Sequence, residues 1–113
     1  MSTSVACDES GIVQCNQLRD REVRERLLWS EVATVYAYKV DCFAVDQIRV
    51  ALSDSTGRVR VLVCEDYAGY EELIRALPRY LPGCLAPEEW FQRVAFPAFE
   101  TKWTALYRRS ADS

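Results

Sequence analysis

Three carboxylates are the side chains best suited by type and position to do chemistry: Glu31, Asp41 and Asp46. They flank a tyrosine-rich stretch at both ends, and Lys39 stands close before Asp41. Two carboxylates near a sheet edge could share general acid and general base duties. A small enzyme or ligand-binding protein built on these three is therefore one reading. The plainer one is that they cap the loop 39–46 and hold Lys39 against an aspartate. No nucleophile or metal motif accompanies them, which favours the plainer reading. The chain contains no histidine, which removes Ser-His-Asp triads, the HExxH zinc site and imidazole acid–base work. There are four glycines and neither a GxxxxGK[ST] nor a GxGxxG loop. No catalytic residue, cofactor or metal is expected.

The cysteines, Cys7, Cys15, Cys42, Cys64 and Cys84, are odd in number and widely spaced, with no CxxC pair. That spacing suits neither a zinc site nor a disulfide framework and reads as free thiols of a cytosolic protein. With no histidine, none has the usual activating base.

What remains is a set of aromatic and arginine side chains suited to contact a partner. Tyr36 and Tyr38 alternate on one strand face and, with Trp29, could line a groove, although such a row is more often core. Trp90 and Phe96 sit in a cluster beside prolines. Arg49, Arg58 and Arg60 read as one outward face of a hairpin, where guanidinium groups suit carboxylate-rich surfaces or phosphates. Trp, Tyr and Arg dominate protein–protein hot spots, so Trp29, Tyr36, Tyr38, Arg49, Arg58, Arg60, Trp90 and Phe96 form the partner-binding search set.

The elements that must position these residues centre on 46–65. Ile48, Val50 and Leu52 alternate with Gln47, Arg49 and Ala51; Val59, Val61 and Val63 alternate with Arg58, Arg60 and Leu62. A period of two places each apolar set on one strand face, and Asp54-Ser55-Thr56-Gly57 supplies turn chemistry between them. Residues 32–40 are rich in Val, Thr and Tyr, apolar on both faces, and read as a central strand. Residues 11–15 read as a strand and residues 1–9 as a loose, flexible tail before one domain spanning 10–109. Residues 18–28 and 99–107 each fit either a strand or a helix. Tyr70, Leu73, Ile74 and Leu77 follow helical spacing, predicting a helix over 69–77 with one further turn to Tyr80 open beyond Pro78. Ala86-Pro87-Glu88-Glu89 opens a second helix, which Pro97 stops. Strands first and helices after argue for an α+β fold: an antiparallel sheet of four to six strands with helices on one face or end.

Composition narrows the function classes. Half the residues are hydrophobic and 27% are charged, as in one globular domain of 113 residues. The net charge is −3 and the only lysines are Lys39 and Lys102, so nucleic-acid binding is not expected. No apolar run approaches the ~20 residues of a membrane span, and the first ten residues lack the basic start and apolar core of a secretory signal. These point to a cytosolic protein.

Trp29-Ser30-Glu31-Val32, then Ala37-Tyr38-Lys39 with Asp41, Phe43 and Asp46, resemble a set of short bacterial proteins of uncharacterised activity. Those carry a W-S-[DE]-[IV] strand start, an A-[YF]-K-x-D loop and a hairpin. Leu77-Pro78, Leu81-Pro82-Gly83 and Trp103-Thr104 extend the resemblance over about residues 29–107. It implies no activity, cofactor or site residue. A strand-rich body closed by a helix also resembles a pleckstrin-homology-like module, at the level of fold alone. The leading expectation is a small cytosolic bacterial protein that binds another protein without catalysis, such as an immunity protein that neutralises a toxin. Rivals are the carboxylate enzyme and a structural adaptor or homodimer built on a sheet edge.

Overall fold

A computed structural model describes residues 2–42, 45–95 and 103–109. In chain order the elements are β1 (Ser2–Cys7), β2 (Gly11–Gln17), β3 (Glu22–Leu28), a 3-10 turn (Trp29–Glu31), β4 (Thr34–Cys42), β5 (Val45–Ser53), β6 (Val59–Cys64), α1 (Tyr70–Tyr80), α2 (Pro87–Ala95) and β7 (Thr104–Arg108). The class is α+β with antiparallel pairing, as the order of strands and helices implied. The strands divide, however, into a three-stranded sheet, β1-β2-β3, and a four-stranded sheet, β6-β5-β4-β7.

Residues 2–7, expected as part of a loose tail, are the strand β1. Thr3, Val5 and Cys7 do alternate, but pairing with β2 holds the strand, from Ser2 opposite Gln17 to Cys7 opposite Ile12. The turn between them is closed by Asp8, whose Oδ1 accepts the backbone N–H of Ser10 (2.8 Å) and Gly11 (3.1 Å). Within the charged stretch 18–28, residues 18–21 turn and Glu22–Leu28 form strand β3, and 103–109 contains β7; residues 99–102 and Pro97 lie outside the described residues. β4 is central, with β5 on one side and β7 on the other.

Pairing across β5 and β6 is regular from Arg49–Cys64 to Leu52–Val61 and then shifts, so that Ser53 faces Val59. Arg60 is the extra residue of a β-bulge. The bulge reverses the alternation that would have turned Val59 inward: Val59 shares a face with Ser53 and is 50% exposed, while Val61 and Val63 are buried beside Leu52 and Val50. Val35, Ala37, Val50, Leu52, Val61 and Val63 join Ile12 and Leu27 of the other sheet and Leu73, Leu77, Trp90 and Val94 of the helices in one buried cluster.

The sheets meet where β3 runs beside β6, and side chains bridge the gap. Arg60 bonds Glu25 (Nε to Oε1, 2.7 Å) and the Arg26 carbonyl (3.1 Å), and lies 3.5 Å from Asp54. Gln14 of β2, itself buried, donates Nε2–H to the Leu62 carbonyl at 2.7 Å and accepts the Leu62 N–H at 3.4 Å. One amide side chain thus serves β6 as a neighbouring strand would.

α1 runs past Pro78 to Tyr80. The proline costs one backbone bond in the last turn. Burial of Leu81 and stacking of Tyr80 on Trp29 (5.0 Å between rings) outweigh it. At the other end Gly69 takes φ 90°, and its Cα lies so near β1 that an added Cβ would fall 1.7 Å from the Val5 carbonyl oxygen. The acids Glu71 and Glu72 occupy the first turn, where the helix dipole favours them.

Candidate functional site

Cross-strand partners share a sheet face, so register defines the face of the four-stranded sheet that turns away from the core. Tyr38 is opposite Arg49, Tyr36 lies between Ala51 and Ala105, and Thr34 lies between Ser53 and Arg108. Trp103, just before β7, folds onto this face. Its ring stacks on Tyr38 at 3.9 Å between centroids with 19° between planes, and meets Tyr36 edge-on at 6.4 Å. The outer side of the stack is open, with Trp103 57% exposed. Two small residues, Ala51 and Ala105, flank Tyr36 in the middle row.

Arginines frame the stack. The Arg108 guanidinium donates to the Tyr36 hydroxyl at 2.5 Å, and Arg49 donates Nε–H to Gln47 Oε1 at 2.9 Å. Gln47 in turn donates to Asp66 at 2.9 Å, which holds the Arg49 side chain in place. Among the described residues no carboxylate forms an ion pair with Arg49, Arg58 or Arg108, although Arg24 and Arg60 do have such partners. The face therefore combines a flat aromatic surface with guanidinium groups whose charge is not neutralised in place, the combination found at protein-binding hot spots.

The search set drawn from the sequence divides. Tyr36, Tyr38 and Arg49 belong to this face, and Arg58 is exposed at the hairpin turn. Trp29 does not: it is buried, stacked on Tyr80, and donates its indole N–H to the Asp8 carbonyl at 2.7 Å. Trp90 is 1% exposed in the core. Both are corrected from contact candidates to packing residues, because their rings fill the space between the helices and the sheets. Arg60 faces β3 and ties the sheets together, so it too is structural. Phe96 lies outside the described residues. Trp103 and Arg108 were missing from the set; the strand alternative for 99–107 placed Trp103 and Ala105 on one face, and their register against Tyr36 was the part that sequence did not show.

The three carboxylates do not gather. Seven strand steps separate Thr34 from Asp41, about 23 Å at ~3.3 Å each, and Glu31 lies beyond Thr34. The Glu31 carboxylate accepts the Leu28 N–H at 2.9 Å and lies 4.0 Å from Arg60. Asp41 and Asp46 pair along the backbone; the Asp41 side chain lies outside what is described. Asp46 sits 3.5 Å from Lys39, which points into the core and is 2% exposed. Among the described residues, no three Cys, Asp or Glu side chains cluster so as to hold a metal ion.

A concavity of about 200 Å³ lies between α1 and α2 and is lined by Tyr70, Glu71, Ile74, Arg75, Pro87, Trp90 and Phe91. Burial, then Glu65 and Glu71, pushes the Tyr70 hydroxyl well above its ordinary pKa, so it stays protonated. Burial and then Glu89 push the Cys84 thiol up to about 11, which leaves it a poor nucleophile at neutral pH.

Fold and face together define a small α+β domain that carries an aromatic, arginine-framed sheet surface. Compared with protein-family models, curated proteins and solved structures, the chain finds no match. Among the described residues, no helix is long and apolar enough to cross a membrane.

Proposed function

We propose that this chain is a small, non-catalytic, cytosolic bacterial protein-binding module that engages its partner through the outer face of the four-stranded sheet. A toxin-neutralising immunity protein is the narrower form of the same reading. The observation that carries it is Trp103, exposed yet fixed by stacking on Tyr38. An indole held rigid in water loses little conformational freedom on binding, and it offers a large apolar area. The scattered carboxylates support no shared acid–base site, and the β7 edge is a poor dimer template because the Leu106 carbonyl already accepts the Leu85 N–H at 2.9 Å.

The test is affinity capture from the native host with purified wild-type protein, Trp103→Ala and Tyr38→Ala as baits. The reading expects a stoichiometric partner with the wild type and its loss with Trp103→Ala, while the melting temperature of that variant stays close to wild type. Capture that survives both substitutions, or a wild-type bait that retains nothing, overturns it.

A further inference from the structure

The chemistry of the partner can be read from the charges on the same face. The chain is acidic overall, with a net charge of −3, yet two arginines stand on this face: Arg49 is level with Tyr38, Arg108 bonds the Tyr36 hydroxyl, and neither has a carboxylate ion-pair partner among the described residues, Asp66 meeting Arg49 only through Gln47. Both guanidinium groups are fixed by neutral acceptors, Gln47 and the Tyr36 hydroxyl, which leave their other N–H groups available. We infer that the face binds an extended acidic segment of another protein, two carboxylates meeting Arg49 and Arg108 and an aromatic or apolar side chain between them lying over Tyr36 against the Trp103 ring. This rests on the binding-module reading above.

Strand geometry gives the spacing. Arg49 is level with Tyr38 and Arg108 with Thr34, four residues apart along β4, or about 13 Å. They sit on opposite neighbours of β4, two strand spacings apart, adding about 9.6 Å sideways. The diagonal is about 16 Å between backbones. An extended chain advances about 3.4 Å per residue and repeats its facing every second residue. Acids four apart, about 14 Å, fall within the reach of two long guanidinium side chains, and the residue midway between them faces the same way, level with Tyr36, where the Trp103 ring meets Tyr36 edge-on. The pattern is acid-x-aromatic-x-acid. Single-stranded nucleic acid would also use aromatic stacking and arginines. The negative net charge opposes a long phosphate chain more than it does a short segment with two carboxylates.

The probes are dye-labelled peptides with a Glu-Thr-Phe-Thr-Glu core, the same core with Gln or Lys in place of Glu, and a ten-nucleotide oligothymidylate, titrated with the full chain and read by fluorescence anisotropy. The Glu peptide is expected to bind about tenfold more tightly than the Gln peptide, to weaken with added salt, and to lose about tenfold on Arg49→Gln or Arg108→Gln but nothing on Arg24→Gln. The Lys peptide should not bind. Equal binding of Glu and Gln peptides, no binding of the Glu peptide at millimolar concentration, or tighter binding of the oligothymidylate each overturns the inference. If any of these occurs while Trp103-dependent capture persists, the binding module stands with a partner of other chemistry. If capture fails too, both fall.

Discussion

Replacing Gln14 by Leu tests how much its amide adds to the joint that Arg60 also makes between the two sheets. The substitution keeps a similar volume and removes both bonds to Leu62, at 2.7 and 3.4 Å. Each such bond contributes roughly 1 kcal/mol net, and leaving the Leu62 N–H and C=O half-buried without partners adds about 1–2 kcal/mol. Leucine in a buried site returns about 1 kcal/mol through its apolar surface. The balance is a loss of about 2–3 kcal/mol, or roughly 8–12 °C in Tm for a domain of this size. Thermal and urea melts at pH 7 measure it. Gln14→Glu sharpens the test, because an ionised carboxylate can still accept the Leu62 N–H but has no proton for the Leu62 carbonyl. That variant should be the less stable at pH 7 and should regain ground as the pH falls and the acid becomes a donor. If Gln14→Leu melts within about 0.5 kcal/mol of wild type, Gln14 does not bind β6 in the way described and Arg60 carries the joint between the sheets without it.

Gly69→Ala forces a Cβ onto the Val5 carbonyl at a positive φ and is expected to cost about 2–4 kcal/mol; an unchanged melt would show that α1 does not start against β1. The Asp54 carboxyl is held below its ordinary value of 3.8, first by the Thr56 hydroxyl and then by the backbone N–H groups of Thr56 and Arg58. A lowered folded pKa means a stabilisation fully present above 3.8 and lost as the pH falls through the folded value. Wild type should therefore lose more stability between pH 5 and pH 2 than Asp54→Asn, and parallel losses would refute the turn chemistry. Cys84, buried and with its thiol at about 11, should resist iodoacetamide at pH 8 in the native protein and react once unfolded, as peptide mapping by mass spectrometry would report; native labelling at the unfolded rate would contradict its burial.

The sequence was legible where one physical period ran uninterrupted. Ile48 to Leu52, the Val-Thr-Tyr stretch of β4 and the Tyr70–Leu77 face each bury one side of a regular element, so their patterns survive in the linear text. Patterning failed where a long-range partner decides the outcome. Ser2–Cys7 is strand only because β2 lies beside it, and no local propensity separates it from a tail. Val59 alternates correctly with Val61 and Val63, yet the bulge at Arg60 sends it outward. Pro78 left the last turn to Tyr80 open by local rules, and packing of Tyr80 and Leu81 carries the helix through it. The face was half legible: Tyr36, Tyr38 and Arg49 stood out by type, but Trp103 and Arg108 reach it from a strand that pairs with β4 across most of the chain. Trp29 and Trp90 illustrate the reverse error, since large aromatics signal packing as readily as contact.

That late strand has a consequence in time. β4 is made early and gains its second neighbour only when β7 follows, roughly sixty residues later, a delay of several seconds at ribosomal speeds of about 5–20 residues per second. Until then Tyr36 and Tyr38 lie next to an unpaired strand edge and Trp103 has no ring to stack on. Closing so long a loop is slow compared with forming α1 or the hairpin. The proposed partner-binding surface is thus assembled by the last long-range step of folding, and a chain caught short of that step carries every earlier element without that surface.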